Sequence, residues 1–82
     1  MMEKQELITK INEALAGEFE VEITDISPRA LIKETLHLDS LALVDMVALI
    51  ETTFKVGIKG ADINRIKTFD NLYDIIHKQL NA

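Results

Sequence analysis

The chain has 82 residues, enough for one small domain near the lower end of what folds unaided. Apolar residues make up 48% of it and cysteine is absent, so a packed core is expected, and disulfides and thiolate zinc sites are excluded. Nine basic against fourteen acidic residues leave a net charge of −5, which argues against nucleic acid and anionic membranes and favours a basic protein surface as partner.

Leu7, Ile8, Ile11 and Leu15 fall on one stripe at helical spacing, which predicts a helix from about Glu3 to Ala16. Glu3 and Glu6 suit the positive end of its dipole, and Gly17 stands where a stop is expected. From Gly17 to Asp39 that periodicity lapses. Phe19, Val21, Ile23 and Ile26 alternate with acids in the manner of a strand, but no second strand is available to pair with it. These apolar residues are therefore read as anchors that pin a long connection onto the helices. Within that connection Ser27-Pro28 has the character of an N-cap and a first helical residue, and a short helix through Leu31 and Ile32 is expected.

A second strong helix is predicted from Ser40 to Phe54, with Leu43, Met46, Val47, Ile50 and Phe54 as its core stripe and Gly57 just past its end. Leu41, Val44 and Ala48 form another stripe on the same helix, at i, i+3 and i+7, and have no evident core to face. A short helix is expected from about Ala61 to Ile66, turning Ile63 and Ile66 inward. The last runs from Thr68, its expected cap, to Leu80, with Phe69, Leu72, Tyr73, Ile76 and Leu80 on its apolar face. Tyr73 is expected to be half-buried with its hydroxyl at the surface. The fold class is all-α: a small four-helix bundle of three main helices and a short one, with a long loop between helices 1 and 2.

The chemistry centres on Leu38-Asp39-Ser40-Leu41, where the long connection becomes the second main helix. A serine at that place can simply cap the first turn, worth about 1 kcal/mol. Two features favour more than that. The helix start favours negative charge, so a phosphodiester on Ser40 would be stabilised there. The outward stripe of Leu41, Val44 and Ala48 begins beside Ser40 and is rimmed by Asp39, Asp45 and Glu51, which makes a docking surface for a partner carrying basic residues around an apolar groove.

At these residues the sequence resembles the acyl carrier protein family, the phosphopantetheine-binding carrier domains. The likeness runs through Leu38-Asp39-Ser40-Leu41, the amphipathic helix ending Ile50-Glu51-Thr52-Thr53-Phe54, then Val56-Gly57-Ile58, Ile63 and Thr68-Phe69-Asp70-Asn71-Leu72. The resemblance implies that Ser40 receives a covalent 4'-phosphopantetheine arm from coenzyme A, that the arm's thiol carries acyl intermediates as thioesters, and that Asp39 and the second main helix form the recognition surface. It implies as partners a phosphopantetheinyl transferase and acyl-loading, ketosynthase or acyltransferase-type enzymes with basic docking surfaces. The chain itself is then no enzyme, and no catalytic residue or metal is expected. A glycine commonly stands two residues before the Asp-Ser pair in this family, where this chain has His37, so the turn there is expected to differ. Ala42 and Thr52 replace acids that are common in fatty-acid carriers, and Leu43 and Leu49 make the helix greasier, which tilts the reading from a fatty-acid carrier toward a specialised one in polyketide, lipid or peptide-linked biosynthesis.

Other readings have less behind them. An aminoacyl, D-alanyl or peptidyl carrier shares the same pattern. A small helical interaction domain without a prosthetic group would use the outward stripe alone, with Ser40 as a cap. A minimal enzyme built on His37, Asp39 and Ser40 lacks an oxyanion hole and a pocket in the sequence. Neither His37 nor His77 has metal-ligand spacing with carboxylates, and Glu18, Glu20 and Glu22 lack the spacing and glycine of a calcium loop. No signal-peptide pattern opens the sequence and no apolar run approaches a membrane span, so a single cytoplasmic, monomeric carrier domain over residues 1–82 is expected.

Overall fold

The computed structural model describes residues 3–80; Met1, Met2, Asn81 and Ala82 lie outside that span. Five helices follow one another: α1 (Lys4–Phe19), α2 (Ile32–Leu36), α3 (Ser40–Phe54), α4 (Gly60–Ile63) and α5 (Phe69–Leu80), with a single turn of 3-10 helix at Ile23–Asp25. Three are long and two short, which realises the expected helical bundle, and the two short ones fall where the segments around Ile32 and Ala61 were expected to be helical. A radius of gyration of 11.5 Å is what close packing gives a chain of this size, about 12 Å.

The core forms where the stripes meet. Leu7, Ile11 and Leu15 from α1, Leu43, Met46, Val47 and Ile50 from α3, and Phe69, Leu72, Tyr73 and Ile76 from α5 are all buried, joined by Ile26, Ile32, Leu36, Ile58 and Ile66 from the connections. The helices α1 and α5 pack on each other, and Lys4 Nζ reaches Asp74 Oδ1 across them at 2.7 Å. That contact raises the Lys4 pKa, chiefly through the hydrogen bond itself. Tyr73 is fully buried rather than half-buried, and its hydroxyl donates to Asn12 Oδ1 on α1 instead of reaching solvent. Burial pushes the phenol pKa up, since the charged form cannot be solvated there. Phe54, at the open end of α3, is only half-buried, so it closes the core less completely than its place in the stripe suggested.

Helix α5 starts with a reciprocal cap. Thr68 Oγ1 accepts from the Asn71 N–H at 3.3 Å, while Asn71 Oδ1 accepts from the Lys67 and Thr68 N–H groups at 3.1 Å each. The expected cap at Thr68 is present, reinforced by a residue the periodicity does not single out.

The long connection is fixed by backbone bonds to the start of α5. Ile32 N–H donates to the Lys67 carbonyl (2.9 Å), Phe69 N–H to Ala30 (3.3 Å) and Asp70 N–H to Pro28 (2.9 Å), around an isolated antiparallel bridge between Leu31 and Thr68. These bonds take the residues after Ser27-Pro28 into a turn, in which Ala30 N–H donates to Ser27 (3.1 Å), and delay the short helix to Ile32. Ser27 is therefore a turn residue and not the cap of α2. Of the four expected anchors, Phe19 and Val21 pack against the core and Ile26 is buried, but Ile23 stands 49% exposed in the 3-10 turn.

Gly17 does not stop α1. The helix runs through it to Phe19 and ends on Glu20, in the left-handed conformation at φ 55°, ψ 45°. The ends of α2 and α3 are alike: His37 (φ 56°, ψ 48°) and Lys55 (φ 57°, ψ 46°) take the left-handed C-terminal position, while no glycine among the described residues has a positive φ. Left-handed backbone costs a residue with a Cβ about 1–2 kcal/mol. The fourth helix is shorter than expected, ending at Ile63; Ile66 lies beyond it and is still buried.

Candidate functional site

Helix α3 begins and ends where its sequence predicts, at Ser40 and Phe54. Its N-cap is Asp39, in extended conformation, whose Oδ1 accepts from the Ala42 N–H at 2.7 Å. An aspartate also places its charge favourably against the positive end of the helix dipole. The capping role that a lone serine could have filled therefore belongs to its neighbour. Ser40 is the first helical residue, exposed, and its hydroxyl makes one side-chain hydrogen bond: Lys33 Nζ, from α2, donates to Ser40 Oγ at 3.3 Å.

The turn that delivers Asp39 and Ser40 rests on His37. Its left-handed backbone ends α2, and Leu38 N–H donates back to the Lys33 carbonyl at 2.9 Å. Histidine is among the residues that enter this region more readily than most. His37 thus holds a left-handed turn at this place without a glycine.

Beyond Ser40, α3 has two unlike faces. Leu43, Met46, Val47 and Ile50 are buried, whereas Leu41 is 80% exposed, Val44 is 50% exposed and Ala48 is exposed. Leu41 and Val44 head the outward stripe and are the two most exposed large apolar residues among those described, ahead of Ile23 and Leu31 in the connection. Of the acids expected at its rim, Asp39 and Asp45 are exposed. Glu51 is half-buried, and its Oε2 accepts from the Ile58 N–H at 3.0 Å, which ties the segment after α3 back onto the helix. Glu51 thus has a structural task that the spacing of acids along α3 gave no hint of.

A cleft of about 680 Å³ opens beside Ser40, between α2, α3 and α4. Leu31, Leu43, Val44, Ile63 and Ile66 supply its apolar lining, and Lys33, Glu34, Asn64 and Lys67 its polar one. Sequence reasoning missed both the cleft and Lys33. The lysine sits seven residues before Ser40, outside any stripe, and only the turn at His37 brings it back to the hydroxyl.

The arrangement can hold a covalently attached anion. The Ser40 oxygen is accessible, no bond of the helix start depends on it, and it stands at the positive end of a fifteen-residue helix. An apolar cleft adjoins it, of a size that takes a small organic group. These features fit a phosphate-linked arm with an apolar cargo. Among the described residues no group of three or more His, Cys, Asp or Glu side chains could hold an ion. Among them, too, no helix is long and apolar enough to cross a membrane.

Comparison with known proteins agrees with this chemistry. Residues 7–76 match the family described as the phosphopantetheine attachment site. The acyl carrier protein of Petrotoga mobilis is 31% identical over 80 residues, which span 98% of this chain and 94% of that one. That of Rubrobacter xylanophilus is 29% identical over 99% of this chain and all of the other. The crystal structure of the acyl carrier protein of Thermotoga maritima superimposes with a TM-score of 0.80 at 29% identity, covering 98% of this chain and 93% of that one. With helices, attachment-site pattern and relatives in agreement over nearly all its length, the chain belongs to the acyl carrier proteins.

Proposed function

We propose that Ser40 is the attachment residue of this carrier, that residues 1–82 work as one carrier domain, and that the outward face of α3 is the surface its partner enzymes read. The observation that carries the proposal is the exposed Ser40 hydroxyl at the first position of α3, relieved of capping by Asp39. In the attachment step Ser40 Oγ attacks the β-phosphorus of coenzyme A. The new O–P bond replaces the bond to 3',5'-ADP, which leaves, and the hydroxyl proton passes to a base of the transferase. Among the described residues the one side-chain partner of Ser40 within hydrogen-bonding distance is an ammonium, a donor and not a base, which supports a chain that is acted on and does not itself catalyse. When bound, the arm supplies a terminal thiol that carries the acyl group as a thioester. The apolar lining of the cleft beside Ser40 gives part of that cargo a place out of water.

Leu41, Val44 and Ala48, with Asp39 and Asp45 at the rim, offer a docking face to a transferase or an acyl-handling enzyme with basic residues around an apolar groove. Glu51 adds charge at the far end of this face while holding the Ile58 N–H. Ala42 and Thr52, where acids are common, leave α3 with less negative charge than a fatty-acid carrier's, and this supports a specialised pathway. Incubation with coenzyme A, magnesium and a broad-specificity phosphopantetheinyl transferase, followed by intact mass measurement, tests the assignment. The wild type gains one arm and Ser40→Ala gains none; an arm retained by Ser40→Ala, or none on the wild type, refutes it.

A further inference from the structure

We infer that Lys33 is a positioning residue for the prosthetic group: its ammonium, which donates to Ser40 Oγ in the unmodified chain, holds the phosphate once Ser40 is esterified. The inference rests on Ser40 being the attachment residue. Four observations carry it. Lys33 Nζ lies 3.3 Å from Ser40 Oγ, so a phosphorus bonded to that oxygen brings its two non-bridging oxygens within reach of a small rotation of the lysine stem. Among the described residues no carboxylate lies within 4.0 Å of this ammonium, whereas Lys4 and Lys10 are matched with Asp74 and Glu6. In a chain with net charge −5, a lysine bonded to a neutral hydroxyl, with Glu34 in the same cleft but beyond ion-pair distance, can take up an anion attached to that hydroxyl. Finally, the base of the side chain is fixed: Ile32 and Leu36 are buried on either side of it, and the Ile32 N–H is bonded to Lys67.

The chemistry favours the exchange of partners. A neutral hydroxyl accepts one bond from the ammonium. A phosphodiester offers a full negative charge and better acceptors, and lysine serves phosphate as a point charge with three donors. Glu34, on the same helix, and Asp39, at the cap of α3, are the nearest acids in sequence, but Asp39 is occupied with Ala42. Holding the phosphate on the α2 side directs the root of the arm toward the cleft that Lys33 and Ser40 both line. The same cation sits where negative charge gathers during attachment, so it also favours the transfer.

The experiment loads three chains: wild type, Lys33→Met and Lys33→Arg. Lys33 is exposed, and methionine and arginine are good helix formers, so both variants keep the fold. Intact mass first establishes one arm on each, absent from Ser40→Ala. The lysine side-chain nitrogen resonances, assigned by the one missing in Lys33→Met, and the phosphorus resonance of the arm are then followed. Loading should shift the Lys33 resonance and leave the other lysines in place. The phosphorus resonance should move in Lys33→Met and return in Lys33→Arg, and the difference should shrink in 1 M salt. The kcat/KM for arm transfer should fall by about 1.5–5-fold in Lys33→Met, the range of an exposed ion pair, and stay near wild type in Lys33→Arg. An arm on Ser40 with identical phosphorus resonances in wild type and Lys33→Met, and an unmoved Lys33 signal, overturns the role of Lys33 alone. No arm on Ser40 of the wild type overturns the attachment reading and this inference with it.

Discussion

Helices α3 and α5 face the same core and are built on opposite plans. Helix α5 keeps its large apolar residues on one side, with Phe69, Leu72, Tyr73 and Ile76 all buried, and is anchored by a reciprocal cap and by Asp74 paired to Lys4. Helix α3 buries four residues just as fully but leaves Leu41 and Val44 in water. None of the large apolar side chains described on α5 is left exposed, whereas folding covers only one side of α3. The surplus on α3 starts at Leu41, beside Ser40, on the face proposed above as the one partner enzymes read.

The comparison breaks first if α5 is not the structural helix. Phe69→Ala should cost about 3–5 kcal/mol, out of a total of about 4–12 for a chain of this size, as measured by urea unfolding. Phe54→Ala, at the half-buried end of α3, should cost clearly less than Phe69→Ala; equal losses would show that α3 is closed at that end as well. Asp39→Ala removes the cap of α3 and should destabilise by about 1 kcal/mol, with arm transfer slowed as the helix start frays. His37→Gly should stabilise by up to about 1 kcal/mol, because glycine takes the left-handed shape without a Cβ clash; a loss would mean the imidazole has a task of its own. Val44→Asp should change stability by less than about 0.5 kcal/mol, yet weaken binding to a partner enzyme in a titration. Unfolding on Val44→Asp would erase the distinction between the two helices.

Stability against pH adds a check on α5. Burial raises the Tyr73 pKa, so the folded chain resists ionising a phenol that the unfolded chain gives up more readily. The stability tied to the neutral ring is complete below the ordinary tyrosine value, near 10, and is lost as the pH climbs beyond it. Tyr73→Phe should flatten that alkaline decline.

Where periodicity and caps act locally, the sequence was readable: both ends of α3, its two stripes and the Thr68 cap follow from residues within a few positions of one another. The misreadings share a cause. Ser27-Pro28 looks like a helix start, but bonds from Phe69 and Asp70, some forty residues on, hold that stretch in a turn. Tyr73 finds its partner in Asn12, 61 positions away. Gly17 and Gly57 looked like stops, while the left-handed positions went to Glu20 and Lys55. Lys33 carried no pattern at all, because its meaning depends on a fold-back at His37. Of the candidate site, the place of Ser40 at the start of α3 and the exposure of the outward stripe were legible; the division of labour between Asp39 and Ser40, the tie from Glu51 to Ile58 and the cleft were not.

That division of labour has a consequence for how such a protein lives. Because an aspartate secures the first turn, chemistry on the adjacent oxygen takes nothing away from the scaffold. With Ser40 as the proposed attachment residue, empty, charged and discharged forms would share one backbone at this corner, and an enzyme meeting any of them would find the same landmark. A shuttle visiting many docks keeps a constant hull while its freight changes.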